Sequence, residues 1–320
     1  RGGNVAAITG GEQLNSKNIE RLLSKSQGFN LPKAREVKDF GVIGHKNSLF
    51  YPTIRVLDNE KKVKRLDILN EDEVYFKSIL TKYKEGYISM LGFDSTRISL
   101  SNVGIEHLYM IAFLDKMESA GIHQISFGYG RRIWEIKDND LLKLRDSTCS
   151  AESRKGGEDS ALSWFRRYAF CYELQVPKDW GTENKHAIML RELNTFFGRM
   201  YKLNASWERR NVTCMALIRT NGEESVLSKG GVPILKHTPF SFDVQNIALD
   251  EFVAELAAYY FPKSPFPMID ETGYKSKIDL NISCDIRNVE LVNGELAKYG
   301  LKLVKMDKEL DVIVFRQLNE

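Results

Sequence analysis

A short pattern that recurs along the chain constrains its fold more than any other feature. Residues 98–108 alternate like a strand and change to helical spacing after Asn102, and residues 242–252 repeat this change after Asn246. A shorter copy is centred on Asn288. In each copy a β-branched residue follows the Asn, and Ile or Leu comes three places after it. Each copy predicts a strand that leads directly into a helix, whose first turn the Asn side chain caps.

The segments around these copies complete small β-α-β-β units. The spacing predicts helices ending near 118 and over 185–201, 252–261 and 289–299, with strands at 124–127, 132–136, 169–176, 204–208, 213–219, 277–282, 301–306 and 311–316. The fold class is therefore α+β, with repeated small β-α-β-β units, antiparallel or mixed sheets and two packed subdomains.

The organisation expected along the chain has four parts. Residues 1–26 form one strand and one helix, which are too small to fold alone. Residues 27–95 are irregular with one helix, at 71–84, that Asn70 caps. The first α+β subdomain covers 96–222 and contains a polar, Gly-containing mobile loop near 145–162, and the second covers 238–320 after a short link near 221–237.

Charge and hydropathy exclude two classes of partner. The 46 basic and 43 acidic side chains are interspersed, with a net charge of +3, whereas a nucleic-acid binder concentrates its basic residues on one face. No apolar stretch approaches the roughly 18 residues that span a bilayer. We therefore expect neither nucleic-acid binding nor membrane spanning.

The four cysteines are far apart and include no C-x-x-C pair. This spacing argues against a zinc knuckle and against a redox-active dithiol within the chain. Cys171 and Cys214 each lie in a strand-like run, so they could be neighbours in one sheet and form a disulfide. Two buried free thiols are the alternative.

The residues that carry chemistry in known motifs form no such pattern here. No two of the five histidines are spaced i, i+4, and no G-x-S-x-G elbow is present. Asp270 and Gly273 lie in a P-M-I-D-E-T-G segment that turn chemistry explains. The sequence therefore predicts no catalytic, cofactor-binding or metal-ligating residue and favours a non-enzymatic role; Asn102, Asn246, Asn288, Asp270 and Gly273 are structural.

Three resemblances add to this interpretation. Residues 240–316, with F-D-V at 242–244 and the helix after it, resemble the small N-terminal domain of secretins and TonB-dependent receptors (STN). Residues 96–316 resemble a soil-associated bacterial C-terminal domain family of unknown function, through N-V-x-I-x-x-L at 102–108, Y-E-L-x-V-P at 172–177 and P-M-I-D-E-T-G at 267–273. Residues 1–26 are similar to the last strand and helix of a TlpA-like thioredoxin domain.

These resemblances imply a Gram-negative cell-envelope protein, periplasmic or associated with the outer membrane. The leading hypothesis is a non-catalytic interaction module with an envelope protein partner and no cofactor, which predicts an exposed sheet edge or apolar patch. One alternative is an accessory region of a TlpA-like thiol-disulfide oxidoreductase whose C-x-x-C domain is not in this chain. A second alternative is a small-ligand or carbohydrate-binding domain that uses exposed aromatic rings at Tyr129, Trp134, Trp164 and Trp207.

Overall fold

The structure is a computed structural model. It describes Glu20 and residues 74–122 (except 86 and 88), 127–145, 158–180, 182–220 and 226–318. It also describes the backbone of 53–57 and 63–67, and for 158–162 and 182–184 it likewise describes the backbone alone. The thioredoxin-like segment expected at 1–26 lies outside this part of the chain, apart from Glu20, which is helical. Most of the loop expected at 145–162 also lies outside it.

Strands and helices are both abundant, which confirms the α+β class. In chain order the elements are β1 (Thr53–Leu57), β2 (Val63–Asp67), β3 (Lys77–Lys82), β4 (Met90–Phe93), β5 (Arg97–Val103), α1 (Ile105–Ala112), α2 (Leu114–Ser119), β6 (Arg132–Glu135), α3 (Asn139–Leu142), α4 (Glu158–Tyr168), β7 (Phe170–Gln175), α5 (Thr182–Tyr201), β8 (Leu203–Arg219), β9 (Ile234–Thr238), β10 (Ser241–Ile247), α6 (Leu249–Tyr260), β11 (Met268–Asp270), β12 (Ile278–Ile282), α7 (Val289–Leu296) and β13 (Leu301–Gln317).

The chain divides into two compact units. The first contains residues 1–109 and 138–189, and the second contains 110–137 and 190–320. This division differs from the expected 96–222 and 238–320, because β8 and β13 are paired along their whole length and β6 adds to the outer side of β13. Segments far apart in sequence therefore share one sheet.

The first unit is built on an antiparallel sheet in the order β3-β7-β5-β4. One face is apolar, because Ile98 and Leu100 of β5 lie opposite Leu174 and Tyr172 of β7 and all four are almost completely buried. Every residue of β5 is buried, which means that both faces of this strand are covered.

Two predicted elements of this unit were wrong. The helix expected at 71–84 is the strand β3 from Lys77 onward, because this segment pairs with β7 and the Lys77 Nζ atom lies 2.7 Å from the carboxylate of the fully buried Glu173. Tertiary pairing overrides the helical spacing here. The expected loop at 145–162 ends earlier than predicted, because α4 begins at Glu158. Trp164 of that helix is buried, and its Nε1 atom donates to the Lys143 carbonyl at 2.8 Å.

The second unit contains a four-stranded sheet in the order β11-β8-β13-β6. β8 and β13 are each 17 residues long and pair antiparallel along their whole length. Leu203 lies opposite Gln317 at one end, and Arg219 lies opposite Leu301 at the other. Two shorter strands had been expected in each segment, 204–208 and 213–219 in the first and 301–306 and 311–316 in the second. That prediction was wrong because the polar residues pair across the strands, as Thr213 does with Asp307 (2.6 Å).

A second sheet in this unit is antiparallel in the order β12-β10-β9. The helices α6 and α7 pack against it and against the ends of β8 and β13 in one apolar core. The largest contributors are fully or almost fully buried: Leu217, Phe242, Phe252, Ile282, Leu296 and Leu303. In this sheet β10 is the central strand and β9 is an edge strand.

Candidate functional site

The three Asn residues of the recurring pattern have two different roles. Asn102 and Asn246 both have positive φ, +48° and +54°, and both lie at a register shift inside their strands. The expectation that they cap helices was wrong: the Asn102 side chain bonds to main-chain groups of Lys84 and Tyr87, and the Asn246 side chain donates to the Gly231 carbonyl. Asn suits these positions because it is one of the few residues that tolerates this left-handed conformation. Asn288 is a cap as predicted, and its side chain accepts from the Glu290 and Leu291 amides.

Asn102 ties a loop to the sheet. It is 1% exposed. Its side chain accepts from the Lys84 amide and donates to the Lys84 and Tyr87 carbonyls, each at 2.8 Å. The Cys171 thiol donates to the same Asn102 Oδ1 atom at 3.3 Å. Burial raises the pKa of this thiol, so Cys171 is a packed, protonated group.

The disulfide considered between Cys171 and Cys214 is not present. Both thiols are free and fully buried. Cys171 lies in β7 and Cys214 in β8, which belong to different sheets. The Cys214 thiol donates instead to the Met306 carbonyl at 3.3 Å. The expectation that the two cysteines are sheet neighbours was therefore wrong.

Asp270 and Gly273 form a turn. The Asp270 carboxylate accepts from the Thr272 amide at 2.8 Å, and Gly273 has a φ of +72°. A side-chain acceptor two residues back and a left-handed glycine together make a tight turn after β11. Both residues therefore have the structural role expected of them.

Of the aromatic residues considered for carbohydrate binding, Trp164 is buried and the other three are half-buried. Trp164 is 5% exposed. The rings of Trp134 and Phe315 stack at 4.5 Å, and those of Trp207 and Phe127 stack at 5.5 Å. Tyr129 is half-buried under the Arg132 guanidinium. The premise that these four rings are exposed was wrong.

The described part of the chain contains no group of three or more His, Cys, Asp or Glu side chains that could hold a metal ion. In the same part, no helix has the length and apolar character needed to cross a bilayer.

The feature that fits the expected interaction surface is the outer edge of β9. This segment had been interpreted as part of a link, whereas it is a strand paired with β10 on one side and with no described strand on the other. Its side chains are half-buried or exposed. We call it the β9 edge.

The hydrogen-bond pattern of the sheet shows which main-chain groups this edge presents. Asn281 of β12 lies opposite Asp243 of β10, yet its N–H and C=O bond to the Tyr299 hydroxyl. The main chain of Asp243 therefore faces β9, where Lys236 is its partner. Because antiparallel pairing uses alternate residues, Leu235 and His237 direct their N–H and C=O groups outward.

Aromatic side chains flank the β9 edge. The His237 ring lies 4.6 Å from that of Tyr259 on α6 and 4.9 Å from that of Phe242. The Tyr260 hydroxyl donates to the Thr238 carbonyl at 2.6 Å, which fixes the end of the helix to the strand. Tyr259 is 60% exposed, and Phe240, in the turn from β9 to β10, is 62% exposed.

This arrangement can bind an extended polypeptide. Outward N–H and C=O groups provide a ladder for an added strand, and the exposed rings offer apolar contacts to its side chains. The sequence carried one signal for this site, a Pro-Phe pair at 239–240 between two alternating runs. That signal predicts a hairpin but leaves open which strand is at the edge.

Comparison with known proteins provides no family for this chain: no family model, no curated protein and no solved structure matches it.

Proposed function

We propose that this chain is a non-catalytic interaction module of the bacterial cell envelope, which binds an extended segment of a partner protein as an additional strand on the β9 edge. The observation that carries the proposal is the outward main chain of Leu235 and His237 beside the exposed rings of Tyr259 and Phe240.

The partner's chemistry follows from this edge. A strand added to β9 forms hydrogen bonds with up to four outward groups, each contributing about 0.5–1.5 kcal/mol. Since alternate side chains of a strand point to the same face, we expect apolar side chains at every second position of the bound segment, where they reach Tyr259 and Phe240.

The envelope location rests on a different kind of support. It comes from the resemblance of residues 240–316 to the STN domain and of 96–316 to an envelope-associated family. The β9 edge is independent of that resemblance, so the binding mode can be tested even if the location is different.

The test compares two substitutions of one residue. Leu235→Pro removes an outward N–H, and edge strands tolerate proline at such positions. Leu235→Ala removes the same side chain and keeps the N–H. With the full chain as bait in an envelope extract, we expect a partner that wild type and Leu235→Ala retain and that Leu235→Pro loses.

Two outcomes would contradict the proposal. The partner could remain bound to Leu235→Pro, or both variants could lose it equally. Circular dichroism shows whether each variant is folded. A second pair, Tyr259→Ala and Leu291→Ala, removes exposed apolar side chains beside β9 and on α7, respectively. Only the first should weaken binding.

A further inference from the structure

The first unit contains a cleft, whereas the β9 edge belongs to the second unit. The cleft has a volume of about 330 Å³, and it is lined by Ser89, Met90, Leu91, Asn102, Val103, Gly104, His107, Trp164 and Phe165. These residues come from β4, from the junction of β5 and α1, and from α4. The volume lies at the small end of the ~300–1,000 Å³ typical of ligand pockets.

The wall is apolar in character. Met90, Leu91, Val103, Trp164 and Phe165 supply most of it. The Trp164 and Phe165 rings are perpendicular, with centroids 5.3 Å apart. A planar aromatic molecule can lie flat against the half-buried Phe165 ring and meet the edge of Trp164, which is 5% exposed, and both geometries are favourable. The Met90 thioether adds a favourable contact for an aromatic ring.

The polar side-chain atoms that Ser89, Asn102 and Trp164 contribute to the wall are already engaged within the protein. The Ser89 hydroxyl donates to the Asn102 carbonyl at 2.8 Å. The Asn102 side chain bonds to main-chain groups of Lys84 and Tyr87, and the Trp164 Nε1 atom bonds to the Lys143 carbonyl. A charged or strongly polar ligand would lose its hydration without gaining partners from these groups.

We propose that this cleft binds a neutral, planar aromatic molecule of two or three rings. The perpendicular Trp164 and Phe165 rings select a flat ligand, and the internally satisfied Ser89 and Asn102 select an uncharged one. The site belongs to the first unit and is independent of the proposed binding of a partner strand.

The test uses 6-propionyl-2-(dimethylamino)naphthalene, a neutral, flat two-ring molecule whose fluorescence rises in apolar surroundings. Titrated into the full chain, it should give saturable enhancement with one site and a Kd of about 10–100 µM. Leu91→Glu places a carboxylate at the rim of the cleft and should weaken binding at least about tenfold. Phe93→Glu is the matched control, because Phe93 is equally exposed (38%), lies two residues along β4 and does not line the cleft.

A second measurement locates the probe without relying on a rim variant. Excitation of tryptophan should sensitise probe emission. Trp164→Phe should reduce this emission more than Trp180→Phe does, with the probe still bound, because Trp180 is exposed and does not line the cleft. The absence of saturable enhancement, equal loss with Leu91→Glu and Phe93→Glu, or equal effects of the two tryptophan variants would overturn the proposal.

Discussion

The three Asn residues of the recurring pattern provide a quantitative test of the structure, because the same motif has two different local roles and makes different hydrogen bonds at each position. Asn102→Ala removes three side-chain hydrogen bonds of 2.8 Å from a residue that is 1% exposed. At about 1 kcal/mol for each bond and about 1 kcal/mol for alanine at positive φ, the free energy of unfolding should fall by about 4 kcal/mol.

Alanine at the other two positions should lower the free energy of unfolding by less. Asn246→Ala loses the bond to the Gly231 carbonyl at 2.7 Å and incurs the same backbone penalty, so we expect about 2 kcal/mol. Asn288→Ala loses a helix cap, which costs about 1 kcal/mol.

Glycine variants separate the backbone from the hydrogen bonds. Glycine adopts positive φ freely, so Asn246→Gly should recover about half of the loss, whereas Asn102→Gly should still cost about 3 kcal/mol. Asn288→Gly should lower the free energy of unfolding by only about 0.3 kcal/mol. Urea unfolding followed by circular dichroism measures all six variants. Equal losses for the three alanine variants would refute the reasoning, since they would mean that all three Asn act as caps.

Three further predictions follow from single contacts. Gly130→Ala should destabilise by about 1–3 kcal/mol, because its Cβ would lie 2.6 Å from the Pro267 nitrogen, whereas Gly294→Ala on α7 meets nothing within 4 Å and should stabilise by about 0.5–1 kcal/mol; thermal unfolding compares them, and equal signs would contradict the packing described. Hydrogen bonds from Arg316 and Ser206 lower the pKa of Glu208 from 4.5 to about 2, so the stability that the ionised carboxylate contributes is present above pH 4.5 and is lost as the pH falls toward 2. Glu208→Gln should therefore lose less stability than wild type between pH 5 and pH 2 in urea titrations. An equal loss would show that Glu208 does not stabilise the fold in this way. Iodoacetamide should label the half-buried Cys284 in the native chain and label the buried Cys171 and Cys214 only after unfolding; a peptide linking Cys171 to Cys214 in mass spectrometry would contradict the free thiols.

Among the site residues, the sequence could indicate Phe240 through the Pro-Phe turn, but not the β9 edge. A strand at an edge and a strand in the middle of a sheet can have similar alternation, and the link near 221–237 had too little periodicity to show β9 at all. From the sequence, Tyr259 could be predicted only to lie in the helix at 252–261. Its exposure could not be predicted, because it depends on how α6 packs against His237 and Phe242.

What the sequence determined by itself is local. The α+β class, the strand that leads into α1 or α6 and the turn at Asp270–Gly273 all depend on neighbours a few residues apart, and periodicity and turn chemistry report such neighbours directly. Tertiary structure decided the rest. β3 is a strand because β7 lies beside it, β8 and β13 continue through their polar centres because each pairs with the other, and Asn102 binds Lys84, 18 residues earlier, instead of capping α1. These outcomes depend on partners distant in sequence, whose hydrogen bonds outweigh small local preferences.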